Sequence, residues 1–350
     1  MITSPTIVLV LFIMLLFFSF IKSGEKKVGI YYLTSVILLI LFMGLRGSNI
    51  GDDTPVYFQS FNLRLYEDTV AYEASWIFIC TMVNNIFHGD FQLVLLIYAS
   101  LTILPLAYVC YKRSPYPIFS LFLFLFLGYA FHSMNIMRQS VAMSFSLLAI
   151  YELERQKYIY TLISYLIAIV FHLSAIIIGP LLLLVFFLAK RSTNFQIILI
   201  VVTLLIGFLF YSQINQVLGY VSFEKYQNYA GYSDTRGVNF QNLFIVFAIN
   251  AVFTALFLSV KKSNSFFIAA YSTSCVLTNL VGYNIGFNRI IYYLSISVIV
   301  ALPEIIKSIN IRRGLYFMLK TPLPLSYILV RIVMLVISIY RNGEGVFNRI

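Results

Sequence analysis

Charge is what this chain has least of. Charged residues make up 11 % of its 350 positions, the AVILMFWYC set makes up 61 %, and the mean hydropathy is +0.90. Soluble domains carry about 25 % charged residues, so this chain lacks the polar surface to stay in water. Acid is scarcer than base: 13 Asp and Glu stand against 24 Lys and Arg, a formal charge of +11. A nucleic-acid binder would gather that excess on one basic face. Here the basic residues come singly or in pairs between apolar runs, as in the cytoplasmic loops of membrane proteins, and no nucleic-acid partner is expected. Cysteine is nearly missing. Cys80, Cys110 and Cys275 lie in or beside apolar runs without CxxC spacing, which argues against a disulfide framework or a zinc site and leaves them as core packers. Met1 to Ile21 lacks a basic leader and an Ala-x-Ala site, so it reads as a retained first span and not as a signal peptide.

What the chain does have is apolar runs. A membrane span needs about 20 mostly apolar residues, and shorter ones occur. Candidate spans are 5–21, 28–45, 91–111, 116–131, 138–152, 158–172, 173–189, 195–212, 241–260, 265–283, 288–306 and 322–340. The expected fold is all-α and polytopic: one integral membrane domain over 1–350, a bundle of about 12 transmembrane helices (range 10–13). Segments near 158–189 are short enough for a bent hairpin. The stretch 72–88 is interrupted by Glu73, Asn84 and Asn85. If it lies along the membrane without crossing, Lys22, Lys26 and Lys27, Lys112 and Arg113, Arg155 and Lys157, Lys190 and Arg191, Lys261 and Lys262, and Lys307 to Lys320 all fall on one face. Positive charge marks that face as cytoplasmic. The two long loops, 46–72 and 213–240, then lie outside, on the periplasmic side, and long structured loops tend to carry function.

Polar groups near membrane depth are costly and are functional candidates by default. Arg46 begins the run RGSNIGDDTPVY, which places an arginine, Asp52, Asp53 and Tyr57 where the second span exits. An exposed loop with a local Arg–Asp pair would also account for it. Asn135, Arg138 and Gln139 follow His132 in FHSMNIMRQSVA. Asn135 and Arg138, three apart, would share a helix face. An arginine in such apolar surroundings wants a carboxylate or phosphate for its fork; a structural ion pair is the plainer alternative. His172, in FHLSA, can act as base or acid near neutrality, although a lone histidine is more often structural. Tyr226, with Lys225, Tyr229 and Arg236, belongs to an aromatic loop suited to stacking on sugars, or simply to the membrane interface. Arg289 and Tyr292 open the eleventh span in GFNRIIYY, and Arg331 interrupts the last one without an evident role. Together Arg46, Arg138 and Arg289 would form a cationic patch at the outer boundary, fit for a lipid-linked phosphate or pyrophosphate.

The ordered set Arg46…Gly51-Asp52-Asp53…Tyr57…Phe61, Asn135-x-x-Arg138-Gln139-x-x-Ala142, Phe171-His172-x-Ser174-Ala175 and Arg289-x-x-Tyr292 resembles the EpsG family of Wzy-type polysaccharide polymerases. The resemblance runs from the second span to the eleventh. The family's loop motif, Gly-x-Asp, maps its aspartate onto Asp53, with Asp52 a departure at the middle position. The resemblance implies a bacterial inner-membrane enzyme that builds O-antigen, capsule or exopolysaccharide. It would move the growing glycan from undecaprenyl pyrophosphate to a sugar hydroxyl of the next lipid-linked unit, on the external face. His172 or Asp53 would take the hydroxyl proton. Arg138 and Arg289, with Arg46, would meet the pyrophosphate, and Asn135, Gln139, Tyr57, Tyr226 and Tyr292 would contact substrate. No metal or cofactor is expected. A chain-length regulator and a flippase of the same pathway are the expected protein partners, and membrane lipid surrounds the chain. A flippase, with polar residues distributed to both faces, and a membrane O-acyltransferase are the rival functions. No Gly-x-Ser-Gly nucleophile turn points to a rhomboid protease.

Overall fold

The computed structural model describes residues 10–11, 13–15, 17–18, 25–51, 53–67, 72–210, 213, 265–281 and 285–309. Every regular element among them is helical. They form two compact units, the first ending at Ile176 and the second starting at Ile177. The spans expected over 241–260 and 322–340, and most of 5–21, lie outside the described residues. Two described helical stretches are long and apolar enough to cross a membrane, Phe91–Arg113 and, across the turn between two shorter helices, Arg289–Ser308. The bent pair Pro117–Phe126 and Tyr129–Asn135 would make a third.

The first unit comprises α1 (Glu25–Gly44), α2 (Thr54–Asn62), α3 (Ala74–Thr81, prolonged by a π-helical turn Met82–Ile86), α4 (Phe91–Arg113), α5 (Pro117–Phe126), α6 (Tyr129–Asn135), α7 (Met137–Glu154) and α8 (Tyr158–Phe171). The long helix α4 packs against α1 and α7, and α7 against α8. Local chemistry sets the limits of α4. Asp90 caps it, accepting from the Leu93 amide at 3.3 Å, and Lys112 and Arg113 close its last turn, where positive charge suits the helix dipole.

The span expected over 116–131 is broken. Gly128, at φ +84°, adopts the left-handed conformation between α5 and α6, which are bent by 58°. Apolar composition along 116–131 carries no sign of that dihedral; only a glycine tolerates it at little cost. Ile136 (φ −95°, ψ 53°) then ends α6 and starts α7. Asn135 and Arg138 therefore do not share one helix face as their spacing suggested: one closes α6 and the other opens α7.

Outward faces are apolar. Leu33, Ile37 and Leu41 on α1, and Ile159, Ile163, Leu166 and Val170 on α8, are exposed at helical spacing, while Tyr32, Val36, Leu39 and Met43 point inward and are buried. Stripes of that kind exceed what a water-soluble monomer exposes and suit lipid as solvent, in keeping with the composition of a membrane protein. α8 has 14 residues, about 21 Å at the helical rise. That is shorter than the hydrocarbon core, as expected for the 158–189 region.

Chain direction alternates in this unit. Gln92 at the start of α4 donates to the Gly44 carbonyl at the end of α1. At the opposite end Arg113 grips Glu154 through Nε and Nη2, at 2.5 and 2.9 Å, and Arg155 pairs with Glu152. The basic pairs at 112–113 and 155–157 thus share one end, as their charge pattern suggested. The segment 74–86 leaves from Glu73, beside Arg138 and His172, and returns to Phe91, beside the end of α1. It begins and finishes at the same end of the unit.

The second unit contains α9 (Ile178–Ala189), α10 (Thr193–Leu209), α11 (Phe266–Val281), α12 (Ile285–Ser295) and α13 (Val298–Ile309). α11 is its hub, packed on each of the other four. Its small buried residues, Ala269, Ala270, Ser272, Thr273 and Ser274, let neighbours approach. At Gly207 the approach is closest: a Cβ there would stand 2.0 Å from the Asn279 carbonyl oxygen. The buried Asn279 side chain donates to the Ile200 carbonyl at 3.1 Å and to Thr203 Oγ1 at 3.3 Å. Cys80, Cys110 and Cys275 are buried and unbridged, the packing role expected of them.

Candidate active site

The end of the first unit opposite the basic pairs gathers most of the polar residues singled out above. Its frame is the loop from Arg46 to Thr54. Gly51 takes φ +97° there, so the chain can turn back into α2. Three hydrogen bonds latch this loop onto the end of α6. Arg46 Nη2 donates to the Met134 carbonyl at 2.9 Å, Thr54 Oγ1 to the same carbonyl at 3.2 Å, and the Asp53 amide to Asn135 Oδ1 at 2.7 Å. Arg46 Nη1 donates to the Met43 carbonyl at 2.5 Å, in the last turn of α1.

Arg46 thus joins the C-terminal ends of two helices, where carbonyls lack intrahelical partners and the dipole is negative. It is 2 % exposed, and burial alone pulls its guanidinium down to about 9, the direction desolvation imposes on a cation. Its charge faces backbone, away from the surface. Asn135, expected to touch substrate, has its side-chain oxygen on the Asp53 amide. Gln139 is buried at 2 % exposure. Asp53 stands at the N-cap position of α2 and is partly exposed. Asp52 lies outside the described residues.

Arg138 is held differently. Its Nε donates to the Tyr57 hydroxyl at 3.2 Å, and its guanidinium lies over the Tyr57 and Tyr72 rings, 5.3 and 5.8 Å from their centroids. Its Nη1 forms an ion pair with Glu73 Oε2. The other oxygen of Glu73 lies 3.0 Å from His172 Nδ1. One carboxylate therefore joins the arginine and the histidine, which come from segments 34 residues apart in the sequence. His172 follows α8 directly and takes an extended conformation (φ −155°, ψ 117°) before the 3-10 turn Leu173–Ile177. The three side chains are 17, 22 and 20 % exposed for Arg138, Glu73 and His172, so all three are partly accessible.

Aromatic packing fixes the floor. Trp76 is fully buried, with ring centroids 4.8, 6.3 and 5.7 Å from those of Tyr57, Tyr72 and Tyr98. Its indole N–H donates to Ser60 Oγ at 3.4 Å. Tyr98 meets Phe171 edge-on, and Phe171 stacks on Phe145. The residue preceding His172 is therefore clamped into the core that also carries Tyr57. Glu73 was missed as a site residue in the sequence because it read as a break in a span. The signal was present: an acid set between apolar runs in a chain with few acids.

Arg289 and Tyr292 lie in the second unit, on α12, three residues apart and both partly exposed. Tyr226 lies outside the described residues. Among the described residues, no three His, Cys, Asp or Glu side chains meet as metal ligands would.

Comparison with protein-family profiles matches the EpsG family over residues 29–344, about nine-tenths of the chain. The chain belongs to the EpsG family. Membership suggests a polysaccharide polymerase-like function and, with the apolar helices, a membrane protein of polysaccharide biosynthesis. No curated protein and no solved structure matches it.

Proposed function

We propose that this protein polymerises lipid-linked oligosaccharide repeat units, moving the growing glycan from undecaprenyl pyrophosphate onto a sugar hydroxyl of the next unit. The observation that carries the reading is the joining of Arg138 and His172 through Glu73 at one end of the first unit, beside the Tyr57 and Tyr72 rings. The opposite end bears Arg113, Arg155 and Lys157, and the positive-inside rule supports an external face for the site. That is where a headgroup anchored by a long lipid tail presents its sugar.

In the transfer, the bond between the anomeric carbon and the pyrophosphate oxygen breaks, and a new bond forms to the acceptor oxygen. The acceptor proton passes to His172, and negative charge builds on the leaving pyrophosphate. A fixed guanidinium in a water-poor setting stabilises such charge without reorganising, which is the role assigned to Arg138. The family resemblance assigns Arg289 to the pyrophosphate and Tyr292 to substrate contact. Tyr226 and its aromatic loop are assigned to the sugars. Arg46 and Asn135 support the Asp53 loop and have no direct part in the scheme. It draws on no metal or cofactor. A flippase that supplies the units and a chain-length regulator are the proposed partners in the bacterial inner membrane.

The test is reconstitution of the full chain in lipid with the host's lipid-linked repeat unit. A polymerase yields a ladder of glycans and releases one undecaprenyl pyrophosphate per new linkage. Units that merely change leaflet, or gain an acyl group without growing, would contradict the proposal.

A further inference from the structure

We infer that Glu73 is a positioning residue of the transfer step, holding His172 in the tautomer that accepts the acceptor proton. The inference rests on the polymerase reading above.

Glu73 occupies the N-cap position of α3, with φ −66° and ψ 148°, yet its side chain caps nothing there. Asp90 and Ser192, at the equivalent positions of α4 and α10, each accept from an amide of their own first turn. The Glu73 carboxylate instead turns to two other segments, one oxygen on His172 Nδ1 at 3.0 Å and the other on Arg138 Nη1. An ionised carboxylate only accepts hydrogen bonds. Nδ1 therefore carries the hydrogen, and the basic lone pair belongs to Nε2. When the acceptor hydroxyl gives its proton to Nε2, the imidazolium that forms already has an anion at hydrogen-bond distance. The acceptor oxygen attacks the anomeric carbon, the pyrophosphate leaves with the bonding pair, and the proton on His172 passes to water. Arg138 holds the far oxygen in an ion pair. Orientation of a histidine base by a neighbouring carboxylate follows the logic of the catalytic triads.

A merely structural ion pair would have Glu73 and His172 act independently. The experiment is a double-mutant cycle on the reconstituted full chain, reading kcat and KM for polymer formation from the lipid-linked unit. Glu73→Gln, His172→Ala and the double variant are compared with wild type. Glu73→Gln is expected to lower kcat by about 10²-fold or more, with KM changed less than about threefold. The double variant is expected to be no slower than His172→Ala alone, because groups that act as a unit are not additive. Should Glu73→Gln fail to accumulate in the membrane, Glu73→Asp, which keeps the charge, enters the same cycle with the same expectation of non-additivity. Unchanged kcat, a loss confined to KM, or a double variant slower by the product of the single effects overturns the inference while leaving the polymerase reading intact. Wild-type protein that makes no polymer overturns both.

Discussion

Arg46→Lys keeps the positive charge and removes the fork. In the native protein the two terminal nitrogens reach different helices, one the Met43 carbonyl at 2.5 Å and the other the Met134 carbonyl at 2.9 Å, from a side chain 2 % exposed. A lysine ammonium is a single point donor on a flexible stem and keeps one of these contacts at best. The lost bond is charge-assisted, worth about 1.5–3 kcal/mol, and its carbonyl is left buried. Met134 retains the Thr54 hydroxyl at 3.2 Å, so the milder loss is the one at that end. For a unit of this size each kcal/mol moves the midpoint by roughly 2–4 °C, which gives a drop on the order of 5–10 °C. The assay is size-exclusion of the detergent-solubilised protein after graded heating, with surface glycan measured in parallel at low growth temperature. Lower thermal stability is expected, with polymer still made. A variant as stable as wild type that makes no polymer would refute the reasoning and return Arg46 to the substrate.

Arg138→Lys should abolish polymer while leaving the protein in the membrane, because lysine has no Nε to hold Tyr57 and no plane to stack on its ring; polymer on a glycan gel and protein on a membrane blot decide it. Gly128→Ala forces a Cβ into a left-handed residue at φ +84°, a cost of about 1–2 kcal/mol, seen as a lower melting midpoint. Gly207→Ala would set a methyl 2.0 Å from the Asn279 carbonyl oxygen. Such overpacking against backbone costs about 1–3 kcal/mol, so the variant should lose thermal stability in the same heating assay, with the α10–α11 packing as the part that yields.

The parts of this fold that follow from solvent preference were legible in the sequence. The runs expected over 28–45, 91–111, 138–152 and 158–172 agree with helices Glu25–Gly44, Phe91–Arg113, Met137–Glu154 and Tyr158–Phe171 to within three residues at each end. Charges at run ends and apolar lengths between them are enough for that. The break at Gly128 and the interruption at Ile136 were not legible, since both are single-residue dihedrals inside apolar stretches. For the site, residue type and order identified Asp53, Tyr57, Arg138 and His172 as candidates. Partnership was the missing part. Arg46 and Arg138 look alike as arginines near an apolar boundary, yet one satisfies helix ends and the other meets a carboxylate and two rings. Only the folded chain brings Glu73 between Arg138 and His172.

Polymerisation is tested most directly by deletion of the gene in its host followed by a gel of the surface glycan, with and without a complementing copy. For a polymerase the high-molecular-weight ladder disappears, the single repeat unit remains, and wild type but not Arg138→Lys restores the ladder. Loss of even the single unit would contradict polymerisation in favour of a flippase. An intact ladder with a lighter repeat would contradict it in favour of a modifying transferase.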